Sequence, residues 1–378
     1  MQASPILSPQ KVTKSPQNTY LFHLKRRLLR HSQLIRVFLI CLIALAISYS
    51  MLLLAPNLIA GIGLLGRPLR LATAFLAGPQ GYVSQTNDRV NLVFLGFSDP
   101  SKAGKDLTDT IILFSLNTQS GDLLFFSIPR DIWVDSLKAK LNTAYHYGEA
   151  KKPGGGGATL AKSSVSEITG QPVDYYLTMD FDSFVKAIDA VGGIDLEVKS
   201  GFDDFLYPIP GKEEVFPESD RYEHIRFDPG FQHMDGQTAL KYIRSRNATG
   251  EGGSDFARSG RQKSVILAFK DKALSREIIL NRKALENLSN VLRRSVRTDL
   301  TPEAIASLGK ILLKTVKLTP RSVSISQFLT NPPASRYNGQ YVLVPPANEW
   351  KPVREFIACS INQFPSCPAP SPAPLPVN

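Results

Sequence analysis

Between Ala239 and Phe269 the chain reads A-L-K-Y-I-R-S-R, then a Gly-rich polar loop, then D-F-A-R-S-G-R-Q-K-S-V-I-L-A-F. Arg244, Arg246, Arg258 and Arg261 fall there with Gln262, interleaved with apolar residues rather than gathered in a solvated charge run. A guanidinium in such a setting needs an anion, and its planar fork fits the oxygens of carboxylate or phosphate. At 100° per residue, Arg258, Arg261, Gln262, Val265, Phe269 and Ala273 share one helix face, so the polar groups continue an apolar stripe toward the helix N-terminus. That terminus adds free N–H groups and partial positive charge, with Asp255 placed at or near its N-cap. The combination predicts a polyphosphate cradle; each arginine taken singly also fits structural pairing with Asp255, Asp228 or Glu251.

A second basic point, Arg130 in S-I-P-R-D, follows an apolar strand, where α/β proteins place ligands. Asp131 is next to it. Asp99 lies beyond an earlier strand, and Asp106 and Asp109 come just before another. Carboxylates at strand ends beside arginines suggest Mg²⁺, which takes one or two carboxylates together with phosphate oxygens and water. Such Asp residues also serve as turn and cap formers. His146, His224 and His233 lack zinc-ligand spacing, and no G-x-S-x-G nucleophile elbow occurs.

The elements that must position these groups alternate in type. Val90–Gly96 reads as a buried strand. Thr110–Asn117 and Asp122–Ile128 read as a hairpin joined by Thr118–Gly121. These strands are apolar on both faces, as in a sheet covered by helices on both sides. A helix over Leu160–Ile168, a strand over Tyr175–Met179, a helix over Asp182–Val191 and a strand over Ile194–Val198 follow. Gly201–Phe231, rich in Pro, Asp and Tyr, reads as a long surface loop. Helices are expected from Asp235, over Phe256–Leu274, Leu285–Val296, Pro302–Val316 and Trp350–Ile361, with a late strand at Tyr341–Val344. The order is that of an α/β protein with a mixed sheet.

The chain has 378 residues, 43% hydrophobic and 20% charged, with a net charge of +11. Part of that charge is a topology signal, and no nucleic-acid partner is expected. Lys25, Arg26, Arg27, Arg30 and Arg36 precede an unbroken apolar run over residues 37–55, about 19 residues, enough to span a bilayer. The basic side stays in the cytoplasm and the remainder lies outside. The expected organisation is a basic tail over 1–36, a signal anchor over 37–55, a membrane-proximal stalk over 56–88 and a catalytic domain over 89–284. A C-terminal extension over 285–362 either completes that domain or stands apart, and a Pro-rich tail covers 363–378. A second apolar stretch, 58–77, is interrupted by Arg67, Arg70 and several glycines, which disfavours a second span. Cys359 and Cys367 could form a disulfide outside the cytoplasm.

The motifs V-N-L-V-F-L-G, T-D-T-I-I-L, F-S-I-P-R-D, L-N-T-A-Y, G-Q-P-V-D-Y-Y, D-F-D-S-F, V-G-G-I-D-L-E-V, M-D-G-Q-T-A-L-K-Y-I-R-S-R and D-F-A-R-S-G-R-Q occur in that order from about Val90 to Leu274. Singly they are weak; as an ordered set the chain resembles the LytR-CpsA-Psr family. The resemblance implies a three-layer α/β/α fold with a central mixed sheet, preceded by one N-terminal transmembrane helix, on the outer side of a bacterial cytoplasmic membrane. It implies an enzyme that moves a glycan with one phosphate from a polyprenyl-pyrophosphate carrier to a cell-wall hydroxyl, usually of peptidoglycan. Carried over by position, Arg130, Arg244, Arg246, Arg258 and Gln262 would hold the pyrophosphate, Asp109 would bind Mg²⁺, and the prenyl tail would lie between sheet and helices; Asp99, not itself at a family position, is taken as a second Mg²⁺ ligand. Arg261 belongs to the anion cradle on helix geometry alone. Asp131 or Asp109 would take the acceptor's proton. Two positions depart from the family pattern: Ser98 stands where an Asp is usual, with Asp99 next, and Leu107 where an Arg is usual, with Lys102 or Lys105 as possible substitutes for its charge. The alternatives are a sensor or carrier that binds polyprenyl phosphate without turnover, and a hydrolase that uses water in place of the acceptor.

Overall fold

The computed structural model describes Gly66 and residues 69–97, 106–212, 214–253, 255–314, 320–362 and Cys367. The expected anchor over 37–55 lies outside these, as do Ser98, Asp99, Lys102 and Lys105. Among the described residues no helix is long and apolar enough to cross a membrane. Residues from Leu71 onward form one compact unit.

In chain order the strands are β1 (Arg89–Phe97), β2 (Thr108–Asn117), β3 (Leu123–Ser127), β4 (Trp133–Val134), β5 (Ala139–Lys140), β6 (Tyr175–Asp180), β7 (Ile194–Val198), β8 (Phe202–Pro208), β9 (Tyr222–Phe227), β10 (Gly230–Met234), β11 (Arg297–Thr298) and β12 (Arg321–Ser324). The helices are α1 (Ala144–Lys151), α2 (Gly156–Thr169), α3 (Phe181–Ala190), α4 (Gly236–Arg244), α5 (Asp255–Ala273), α6 (Arg276–Leu280), α7 (Arg282–Ser295), α8 (Pro302–Lys314) and α9 (Lys351–Ile361). The central sheet has six strands in the order β11-β6-β1-β2-β3-β12. It is mixed: β1 pairs antiparallel with β2 and parallel with β6, and β3 pairs parallel with β12.

Two-residue alternation gives this sheet two different apolar faces. Val93 and Leu95 of β1, with Ile111 and Leu113 of β2, enter a core with Ala161 and Val165 of α2 and with Val353 and Ile357 of α9. Leu92 and Phe94, with Ile112 and Phe114, point the other way. They meet Phe184 and Ile188 of α3, Val265 and Phe269 of α5, and Leu292 of α7, but do not close the space between them. One face is therefore a packed core and the other the floor of a cavity.

The strand–hairpin order over 90–128, the helices and the mixed sheet match the sequence reading. Three regions differ. Gly201–Phe231 is not a loop: β8 and β9 pair antiparallel, with a register shift between Asp204 and Tyr207. The Asp and Pro residues that suggest a loop occupy the bulge, the turn and the outward positions, while Phe202, Tyr207, Ile225 and Phe227 are buried. Tyr341–Val344 supplies only single bridges, Leu343 to Ile132 and Val344 to Thr330. The sheet edge is instead β12, a strand whose polar R-S-V-S sequence hides it. The segment after 284 contributes β11 and β12 to the central sheet and α9 to the main core. Cys359 and Cys367 form a disulfide with Cα atoms 5.6 Å apart.

Phe126 is fully buried at the centre of the packed core. Phe126→Ala should destabilise the protein by about 3–5 kcal/mol, read as a lower denaturation midpoint with an unchanged slope.

Candidate active site

The end of the sheet where β1 finishes and β2 begins carries a cavity of about 260 Å³. Arg130, Arg244, Arg246, Arg258 and Gln262 line it, with Asp109. Four guanidinium groups thus face one carboxylate, and each is held differently.

Arg130 follows β3, and its backbone carbonyl accepts from Asn142 N at 3.1 Å. Its Nη1 donates to Asp109 Oδ1, and its Nε lies 3.5 Å from Asp131 Oδ2. Asp131 is turned away from the cavity and bonded to Lys140 Nζ at 2.9 Å.

Arg244 is the last residue of α4, where a cation suits the helix dipole. The helix starts at Asp235, whose side chain accepts from Thr238 N at 2.8 Å, and the Gly236 N–H donates to Asp189 at 2.7 Å. Gly236 packs so closely on α3 that a Cβ there would come within 2.7 Å of Val185 Cα. Ala239, Leu240 and Tyr242 bury the inner face. With α4 fixed, the Arg244 guanidinium sits 4.6 Å over the Phe181 ring and 5.7 Å from that of Tyr207, a cation–π pocket.

Arg246 stands on the turn that follows. As a whole the residue is exposed, yet it lines the cavity. Burial of its guanidinium, with Arg258 and Arg130 nearby, lowers its pKa to about 10 against the pull of Asp109 and Asp131. The turn itself is held by Asp204, which is completely buried. Asp204 Oδ2 accepts from Ser245 Oγ at 2.6 Å and from the N–H groups of Arg246 and Asn247 at 3.2 Å, and Oδ1 accepts from Leu206 N at 2.9 Å.

Arg258 and Gln262, one turn apart on α5, face the cavity together. Gln262 is 8% exposed, and its Oε1 has no hydrogen-bond partner among the described residues. Arg261 does not join them. It is 6% exposed, donates to the carbonyls of Gly252 and Ser245 at 2.7 Å each, and lies 4.6 Å over Phe202. Burial lowers its pKa to about 10. It ties the 245–253 loop to α5 from the side away from the cavity.

Against the sequence reading, then, the fold brings Asp109, Arg130, Arg244, Arg246, Arg258 and Gln262 together. It leaves Arg261 and Asp131 behind the wall, and Asp99 lies outside the described residues. Among the described residues no three His, Cys, Asp or Glu side chains gather as a metal cage. Asp109 alone at an arginine-lined cavity fits a hard cation that completes its shell with phosphate and water, the usual habit of Mg²⁺. The reading missed Asp204 and the wall formed by Leu206, Pro208 and Tyr222. The alternation in Y-E-H-I-R-F was the available signal for that hairpin.

Beside this cavity opens a second, of about 300 Å³, on the unpacked face of the sheet. Its lining is apolar apart from Thr110, Asp180 and Gln262, and Thr110, Phe181, Ile243 and Gln262 border both spaces. A charged chamber thus adjoins an apolar one.

The model of the LytR_cpsA_psr family matches residues 75–355. The chain belongs to this family. Among its relatives is the polyisoprenyl-teichoic acid–peptidoglycan teichoic acid transferase TagV of Bacillus subtilis (strain 168), 28% identical over 276 residues, 71% of this chain and 63% of that protein. The TagU transferase of Oceanobacillus iheyensis is 31% identical over 224 residues, 58% of this chain and 62% of that protein. The family member described here thus spans a little under two thirds of the length of these two relatives. The crystal structure of B. subtilis TagV superposes with a TM-score of 0.52 at 26% identity, over 74% of this chain and 100% of that one. TagT bound to LIIa-WTA shares the fold, with a TM-score of 0.50 at 21% identity over 75% of this chain and 98% of that one.

Two outcomes test this geometry. Asp204→Asn should cost about 1–3 kcal/mol through orphaned buried donors and loosen the Arg246 turn, measured by denaturation and by faster amide hydrogen exchange at Arg246 and Asn247. The Asp235 cap should be pH-dependent. Bonds from Thr238 lower its pKa, so its stabilisation is complete above the ordinary aspartate value of about 3.9 and is lost as the pH falls through the lower folded value. Asp235→Ala should cost about 1 kcal/mol at neutral pH, and the difference from wild type should shrink on acidification below that range.

Proposed function

We propose that the protein is a phosphotransferase that moves a glycan phosphate from a polyprenyl-pyrophosphate carrier to a hydroxyl of the cell wall, with peptidoglycan as the acceptor. One observation carries this reading: a chamber of four arginines adjoins an apolar cavity between sheet and helices, with Phe181 and Gln262 at the shared border. A lipid pyrophosphate has that same division, a polyanionic head joined to a hydrocarbon tail. The names of TagU and TagV, which specify transfer of teichoic acid to peptidoglycan, support the same class of donor and acceptor.

The acceptor hydroxyl attacks the phosphorus nearest the glycan. The new oxygen–phosphorus bond forms as the bridge to the second phosphate breaks, and the prenyl monophosphate leaves with the bridging oxygen. Charge grows on that leaving phosphate, and preoriented arginines stabilise it more than they stabilise the ground state. Arg258 and Gln262 approach from the N-terminal part of α5, Arg244 and Arg246 from the end of α4, and Arg130 from the sheet. Mg²⁺ would be held by Asp109 and would supply further neutralisation of phosphate oxygens. The acceptor's proton passes to water at the open side, since a loose transition state asks little of a base. Asp131, held by Lys140, positions Arg130 in this reading rather than acting as the base. The anchor over 37–55 would keep the chain at the outer face of the cytoplasmic membrane, where such carriers present their glycans.

The test is incubation of the purified protein with a lipid-pyrophosphate sugar, Mg²⁺ and peptidoglycan fragments. A phosphodiester-linked product is expected. Free sugar phosphate would mean a hydrolase, and retained lipid without turnover would mean a binding protein. Arg244→Ala and Arg258→Ala should each lower transfer by about 10²–10³-fold with the fold intact by circular dichroism. Full activity in either would remove the chamber from the mechanism. Chelation of divalent cations and Asp109→Asn should each suppress transfer, with Mg²⁺ restoring only the chelated wild type.

A further inference from the structure

The apolar cavity has an outer wall whose far side faces solvent. Leu292 of α7 and Val296 just after it line the cavity. The opposite face of α7 carries Arg282, Lys283, Arg293 and Arg294, all exposed; at 100° per residue these share one side of the helix. Around them the chain from Lys270 to Arg294 has seven basic residues and three acidic ones. The acidic groups are already engaged: Asp271 with Lys270 at 3.1 Å, Glu277 with Lys272 at 2.7 Å and Glu286 with Arg282 at 2.9 Å. Arg276, Lys283, Arg293 and Arg294 make no ion pair among the described residues. The same surface is apolar at the corner between α6 and α7. Leu280 is 80% exposed, Ile279 48% and Leu285 46%. Folding left these large apolar side chains in water beside a basic helix face.

We propose that the α6–α7 corner and the outer face of α7 dock on an anionic lipid bilayer. The inference rests on reading the adjoining cavity as the prenyl site. Basic side chains gather at anionic headgroups, and a corner of Ile and Leu enters the boundary between headgroup and acyl chain. The wall of the lipid cavity then lies against the membrane, and a carrier's tail reaches the cavity without crossing open water. A competing apolar surface exists on the β8–β9 hairpin, where Phe205 is 58% and Phe216 89% exposed. From Asp203 to Asp228 that hairpin carries more acidic residues than basic ones, and an anionic surface would repel the excess.

The experiment uses the full chain in proteoliposomes, with Leu280→Cys carrying a nitroxide in a Cys41→Ser background. Oxygen and a water-soluble nickel chelate compete for the label, and their ratio reports immersion. In phosphatidylglycerol vesicles the ratio at 280 should rise several-fold over that in phosphatidylcholine vesicles. The combined Arg276→Ser, Lys283→Ser, Arg293→Ser and Arg294→Ser variant should abolish the rise, and a label at Phe216→Cys should stay aqueous. An aqueous label at 280 in anionic vesicles, or immersion at 216 instead, overturns the proposal. Transfer assayed in the same vesicles separates the two readings. Transfer with an aqueous 280 label refutes the docking surface, whereas immersion without transfer upholds it and refutes the catalytic reading.

Discussion

Four like charges held in one small cavity repel each other, and the groups around them are arranged to withstand that repulsion. Burial lowers the pKa of Arg246 to about 10, and the nearby Arg258 and Arg130 add to the shift. The support is divided among several groups. Arg130 leans on Asp109 and Asp131, Arg244 on the faces of Phe181 and Tyr207, and the Arg246 turn on the buried carboxylate of Asp204. Arg261 seals the loop from behind. A polyanion placed among the guanidinium groups would offset that repulsion through charge-assisted hydrogen bonds.

The hydrocarbon side follows from the period-2 geometry of one sheet. Residues facing α2 and α9 interlock as a core, and the alternate residues face helices that stand off from them. Thr110 stands on the border between the two chambers and packs so closely on Gly96 that a Cβ there would come within 3.0 Å of the Thr110 Cβ. Sheet, cavity and arginine chamber are therefore one construction: the strands that floor the apolar cavity end where the arginines begin.

Much of this was legible in the sequence because it is local. The approximate limits of β1–β3, α2, β6, α3, β7, α4 and α5 follow from apolar runs and from Gly and Asp punctuation, and Arg258 and Gln262 share a face by helix spacing alone. Arg261 shows the limit of that reasoning. Its position on the helix edge fits the cavity nearly as well, and only the course of the 245–253 loop, a tertiary fact, draws it the other way. Asp204 was hidden for a similar reason: an acidic residue in a Pro- and Asp-rich stretch looks like a turn former until the bulge in β8 buries it. The polar strand β12 escaped because its partner, β3, supplies the apolar side chains. Asp131 sat next to the right arginine, yet the strand geometry turned it toward Lys140.

The central claim is that charged head and hydrocarbon tail occupy adjoining chambers and bind as one ligand. The most direct measurement is calorimetric titration of the protein with prenyl pyrophosphates of increasing chain length, alongside inorganic pyrophosphate and the matching prenols. Affinity should rise with each added isoprene unit until the apolar cavity is filled, with pyrophosphate alone and prenol alone far weaker. An affinity that is the same for pyrophosphate and for every prenyl chain would contradict it.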